Sequence, residues 1–224
     1  MIAIQHPVNS QIFQYYYLKS LIESYRYYVE EWLNKTLKDI TDNAIASSEG
    51  DKEIEASIYS QDSNAVYDKT DSEDVLFYKA MLIMVYSYYE GIINKMAEDA
   101  GVKERPSSIC EKYGKVLSEE SKEKVTFLYE SILPLRNYLC HNDSGTKGRD
   151  YEKTAKALKN LFRSRCIEIN YQTNSEGKII LEKCSLYWIN KDFIIDVLDK
   201  EHDVLIELSE IAGYKNTYIG KHEK

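Results

Sequence analysis

Glycine and proline are scarce in this chain, nine and three among 224 residues. So few turn formers argue against a loop-rich β architecture and point to long helices. Apolar runs are short as well: no stretch approaches 18 residues, so no transmembrane helix is expected. The opening, Met1-Ile2-Ala3-Ile4-Gln5-His6-Pro7, lacks the basic-then-apolar pattern of a signal peptide. A soluble, cytoplasmic protein is the expectation. Cysteine is rare too, and Cys110, Cys140, Cys166 and Cys184 show no Cys-x-x-Cys spacing and no nearby histidine pair. They read as free thiols, with no structural metal and no cofactor expected. Cys140 stands beside His141, but consecutive helical positions point about 100° apart, which suits a Cys–His nucleophilic pair poorly.

An excess of positive charge is also missing, since the formal net charge is −8. The sum hides an uneven distribution. Between Asp39 and Asp74 eleven acids face only Lys52 and Lys69, whereas between Lys147 and Arg165 seven basic residues face only Asp150 and Glu152. For holding a phosphate backbone, the local field counts for more than the total. What the chain has in abundance is tyrosine, twenty in all. Runs such as Tyr15-Tyr16-Tyr17, Tyr27-Tyr28 and Tyr88-Tyr89 cannot all face one core. Some of these rings should lie at a wet boundary or a partner interface, where an apolar body with a polar tip is at home.

Periodicity predicts a mainly α protein. Leu18, Leu21, Ile22, Tyr25, Val29, Trp32 and Leu37 recur at three and four, the stripe of a long first helix from Gln11 to about Ile40. Residues 47–72 are acidic and polar, and read as a long connection with a short helix around Ile54 to Tyr59. Glu73 to about Ala100 is apolar on most sides and should be central, with Gly101 as its stop. Ser118 reads as the N-cap of the next helix, and Glu119 and Glu120 suit its first turn. Its core stripe runs through Val125, Leu128, Tyr129, Ile132, Leu135 and Leu139, with a kink expected at Pro134. A further helix carries Arg149, Lys153, Lys156 and Arg163 on one face and Tyr151, Ala155, Leu158 and Phe162 on another. Two strands, 166–171 and 179–188, then read as a hairpin, and Asn190 caps a last helix that Gly213 ends. The whole is expected as a single domain, with a core of about 11–165 and an extension, hairpin plus helix, over 166–213.

Chemistry concentrates in Arg136-Asn137-Tyr138-Leu139-Cys140-His141. With six arginines and four histidines, a bare Arg-x4-His spacing arises by chance in roughly one such chain in ten, so the surroundings must add weight. They do: an asparagine follows the arginine, the segment ends a core helix, and the basic stretch with Lys147, Arg149, Lys153, Lys156 and Arg163 comes next. An arginine can hold a phosphate and a histidine can move protons near neutral pH, which suits metal-free phosphodiester cleavage. His141 would accept the proton of an RNA 2′-hydroxyl or protonate the leaving 5′-oxygen, and Arg136 would stabilise charge on the phosphoryl oxygens. Asn137, one helical turn before His141, would orient the imidazole. One histidine serves two proton transfers poorly, so a homodimer with a composite site is expected. The structural alternative pairs Arg136 with an acid of the bundle such as Glu90 and uses His141 to cap a helix end.

The Arg-Asn-x3-His pattern late in a helical bundle resembles the HEPN superfamily, marked by Arg-x4-6-His and often a polar residue after the arginine. The apolar helix around Tyr86-Ser87-Tyr88-Tyr89-Glu90-Gly91 is similar to the central helix of those bundles. The resemblance spans roughly residues 70–165. It implies a HEPN-like bundle and a metal-independent endoribonuclease acting as a dimer, in toxin–antitoxin, antiphage or RNA-processing systems, with a cyclic-phosphate product. Some members are instead interaction or nucleotide-binding modules without catalysis. One subgroup carries a tyrosine two residues after the histidine, the target of a partner antitoxin; here that position is Asp143.

Overall fold

The computed structural model describes residues 7–102, 112–113, 115–141, 161, 172–173, 179–180 and 189–213. Of 7–13, 138, 141, 172–173 and 179–180 it describes the backbone only. The described chain is mainly helical, with α1 (Pro7–Ser47), α2 (Lys52–Asp99), α3 (Glu119–Phe127), a π-helical turn (Leu128–Ile132), α4 (Leu133–His141) and α5 (Lys191–Ile211). No helix among the described residues is long and apolar enough to cross a membrane.

α1 and α2 form one long antiparallel hairpin. Its turn is made by Glu49 and Gly50, both at positive φ (50° and 91°), and a glycine takes that conformation without steric cost. Asp51 then caps α2, accepting from the backbone N–H of Glu53 and Ile54, while Glu53 and Glu55 favour the positive end of the helix. The expected connection over 47–72 is therefore not a connection. From Lys52 onward it is the first half of α2, and α2 spans about 72 Å at 1.5 Å per residue. The stretch holds few large apolar residues because its contact stripe is small: Ser63 and Thr70 are buried and Ile58 and Val66 half-buried, at spacings of three to five. Near its middle the hairpin is pinned by side chains. Tyr25 stacks on Phe77 with ring centroids 3.5 Å apart, its hydroxyl donates to Asp74, and Arg26 reaches the same carboxylate at 2.8 Å.

Large side chains fill the other end. Tyr78, Leu82, Val85, Tyr86, Tyr89, Ile92, Ile93 and Met96 of α2 share one core with Leu18 and Ile22 of α1, Leu128 and Ile132 of the π-helical turn and Leu135 of α4. Leu161, next to the expected Phe162 in the sequence, joins them. Phe193, Ile194, Val197, Leu198, Val204 and Leu208 of α5 lie in the same core, so the last helix is no appendage to it. Asn190 caps α5 through the Phe193 N–H, and Gly213, at φ 78°, follows its end. Ser118 caps α3 as expected, and the Glu207 carboxylate holds that end of the helix by accepting from the backbone N–H and hydroxyl of Ser118.

The tyrosine runs divide as steric reasoning requires: Tyr15 is buried while Tyr16 and Tyr17 are exposed, and Tyr27 and Tyr28 are both exposed. Trp32 and Tyr129, both expected on inward stripes, are exposed, and the Lys69 ammonium lies over the Trp32 ring. At Pro134 the expected kink takes the form of a wider turn. The Leu133 N–H bonds the Leu128 carbonyl five positions back, directly before the proline whose ring would clash with the Glu130 carbonyl in a regular helix. Gln172–Thr173 and Ile179–Ile180 pair antiparallel with Gln172 opposite Ile180, but the first pair lies past the expected strand 166–171, none of which is among the described residues, so the expected hairpin is not shown. The remainder of 166–188 lies outside the described residues, and so does the expected basic helix apart from Leu161.

Candidate functional site

Arg136 and Asn137 leave the inward stripe of α4 one position after the buried Leu135, which places both half-buried at the rim of the core. The Arg136 guanidinium turns toward α2. Its Nη2 donates to the Ser87 hydroxyl and the Glu90 carboxylate, each at 3.3 Å, and its Nη1 to the Asn137 side-chain oxygen at 3.0 Å. The guanidinium carbon lies 6.0 Å from the centre of the Tyr86 ring, a cation–π arrangement. Ser87 and Glu90 are three residues apart on α2 and so share the face that meets α4.

Both members of the Arg136–Glu90 pair keep part of their surface in water, 21% and 32% of the side chain. A pair of that exposure contributes about 1 kcal/mol or less to stability, so its main effect is to fix where the guanidinium points. Arg136 is thereby restrained rather than free to swing. Asn137, expected to orient the histidine, spends its side-chain oxygen on the arginine. His141 is the last residue of α4, and its side chain lies outside the described residues, as do Lys147, Arg149, Lys153, Lys156 and Arg163. The structure thus joins two of the three motif residues and adds Glu90 and Ser87 to them. Cys140 is a free, exposed thiol.

Beneath the arginine the interior is more polar than the sequence pattern suggests. The Tyr86 hydroxyl is buried without a hydrogen-bond partner, and so is Nε of Arg136. Burial pushes the Tyr86 phenol well above its ordinary range; the charges of Glu90 and Glu201 add to this and that of Arg136 opposes it. Glu201 of α5 is 0% exposed, and neither carboxylate oxygen has a partner. The signal for it was present in the spacing of Ile194, Val197, Leu198, Val204, Leu205 and Leu208, which puts position 201 on the inward stripe. A glutamate there is overlooked because acids ordinarily face water.

A second titratable group lies where α1 meets α5. The His202 ring stacks on Tyr15 with centroids 3.8 Å apart, and the Tyr15 hydroxyl donates to Asp199, which also receives Lys19. Burial holds His202 below its usual range, although the carboxylates of Asp203 and Asp199 pull the other way. Among the described residues no group of three or more histidine, cysteine, aspartate or glutamate side chains is arranged to hold a metal ion. No protein-family model matches the chain, and no curated protein or solved structure matches it.

Proposed function

We propose that the chain is a metal-independent endoribonuclease of the HEPN type, an effector of the toxin or antiphage class that works as a homodimer. The observation that supports this reading is the hold on Arg136: a guanidinium at the rim of the core, oriented by Ser87, Glu90 and Asn137, and still partly open to solvent. A charge-stabilising group works best when its orientation is set before the reaction, so that nothing need reorganise as negative charge grows on the phosphoryl oxygens. His141, five residues on and last in the same helix, supplies proton transfer. The 2′-oxygen attacks phosphorus while its proton passes to a histidine. The 5′-oxygen leaves with a proton from the second histidine across a two-fold axis, and a 2′,3′-cyclic phosphate remains. The basic residues Lys147, Arg149, Lys153, Lys156 and Arg163 would track the RNA backbone.

One observation favours a second reading, a non-catalytic dimer that binds a protein or nucleotide. Arg136 has an ion-pair partner inside its own chain, the arrangement a purely structural arginine would adopt. Cleavage of labelled RNA in the presence of EDTA separates the two. Under the first reading the wild type cuts and leaves cyclic-phosphate ends, while Arg136→Ala and His141→Ala, both folded by circular dichroism, each lose on the order of 10²-fold or more. Cleavage by both variants at the wild-type rate removes the assignment. A folded wild-type dimer that cuts nothing favours the second reading.

A further inference from the structure

Glu201 is the one described acid wholly shut inside the bundle, with 0% of its surface exposed and no hydrogen bond to either oxygen. It stands on the stripe of α5 that packs into the core, between Val197 and Leu198 on one side and Val204 and Leu205 on the other. An isolated carboxylate in such surroundings would cost far more than a folded domain can spare. Structures solve this with a cation or with a proton. Among the described residues no cation answers it. On α5 itself, Lys200 lies over the Phe127 ring and reaches Asp196, and Asp199 and Asp203 are engaged by Lys19 and Lys124. On α1 the charged contact to α5 is that same Lys19, beside Tyr15. On α2 the groups that feel Glu201 are Tyr86 and Tyr88, both neutral phenols held above their ordinary range by burial. Arg136 and Glu90 meet Tyr86 as well and neutralise each other.

We propose that Glu201 enters the folded bundle as a neutral carboxylic acid, and that α5 is locked onto α2 by this proton and released when it is lost. A neutral carboxyl carries no charge for the core to solvate, and the Tyr86 phenol of α2, which is also buried without a partner, feels Glu201 through its charge alone. The sign of the pH effect follows. Desolvation raises the folded-state pKa of Glu201 well above its ordinary value, so the native chain binds one proton more than the unfolded chain in the interval between the two titrations. In that interval the Glu201 contribution to stability falls as pH rises.

The test is the melting temperature of the full chain between pH 5 and 9 for wild type, Glu201→Gln and Glu201→Leu. Glutamine keeps the shape and cannot ionise. The gap between Glu201→Gln and wild type should widen as pH rises, by roughly 3–5 °C per pH unit while the titration lasts. Amide exchange in wild-type α5, corrected for intrinsic rate, should accelerate over the same range, and Glu201→Gln should show no such acceleration. A gap that is constant with pH overturns the proposal, as does a wild type that outlasts the glutamine variant at high pH, the mark of a paired carboxylate. If neither variant folds, the exchange measurement on wild type decides alone, and protection of α5 that does not change with pH rejects the lock.

Discussion

The two halves of α2 are one unbroken helix held in two different ways. From Tyr78 to Ala97 it buries Tyr78, Met81, Leu82, Val85, Tyr86, Tyr89, Ile92, Ile93 and Met96 among three other helical segments. From Lys52 to Thr70 its buried residues are Ser63 and Thr70, and its partner is the far half of α1, which past Ile22 buries only Ala44 among the described residues. The C-terminal half is fixed by the removal of apolar area from water. The N-terminal half depends on its cap, on close pairing with α1 and on local charge pairs such as Lys52–Glu55 and Lys69–Glu73. Helix is thus a poor guide to stability here: the same element runs from a packed core into an arm supported on one side.

Truncation gives the largest effect and the plainest test of that contrast. Ile93→Ala, at a site with 0% exposure, should cost about 2–5 kcal/mol in urea unfolding. Val66→Ala in the arm should cost less than about 1 kcal/mol, because the valine is only half-buried. Equal costs would mean that the arm is as tightly packed as the core. Helix breaking sharpens the point. Asn64→Pro places a proline at an exposed mid-helix position, a local penalty of about 3 kcal/mol. If the arm opens as its own unit, amide exchange should rise across 52–72 and the facing part of α1, while protection around Ile93 and Val197 holds. Loss of protection throughout would show the two halves to be one cooperative body.

The same contrast explains what was legible in the sequence. The apolar half of α2, its stop at Gly101, the caps at Ser118 and Asn190 and the inward stripe of α5 follow from side-chain period and local hydrogen bonding. The arm was not legible, because small residues such as Ser63 and Thr70 carry its contact face and look like loop composition when read singly. At the site, the possible Arg136–Glu90 pairing could be named in advance because both residues sit on core helices of suitable phase. The place of Glu201 on the inward stripe of α5 was legible too, but its complete burial was not, because acids ordinarily face water.

Acid probes the rim of the core where the first two tests probed packing. His202 is held below its ordinary value in the folded chain, so its contribution is complete above the unfolded value near 6.5 and is lost as pH falls below it. Glu207 acts lower on the scale. Burial alone would raise it, but hydrogen bonds from Ser121 and Ser118 prevail and keep it low. Its contribution is therefore present above the unfolded carboxylate value and disappears below it, as pH falls through the folded one. His202→Phe, which retains an aromatic ring against Tyr15, should flatten the stability loss between pH 7 and pH 5, and Glu207→Gln should flatten only the part below about pH 4.5. A histidine variant with the same loss between pH 7 and pH 5 as wild type would assign that loss elsewhere.

The smallest effects belong to the start of the arm, and their ranking is what matters. Asp51→Ala removes the acceptor for the Glu53 and Ile54 N–H groups and should cost about 0.5–2 kcal/mol of helix stability. Lys52→Ala removes an exposed ion pair with Glu55 at 2.6 Å, and should cost no more than about 0.5 kcal/mol, less in high salt. If both losses appear in exchange over 52–60 and leave the global urea midpoint unmoved, the arm's helix is governed by its own end. If instead the cap variant shifts the global midpoint as much as a core truncation does, the far half of the hairpin is coupled to the core through the Tyr25–Phe77 stack and the Arg26–Asp74 bridge, and α2 behaves as a single lever between them.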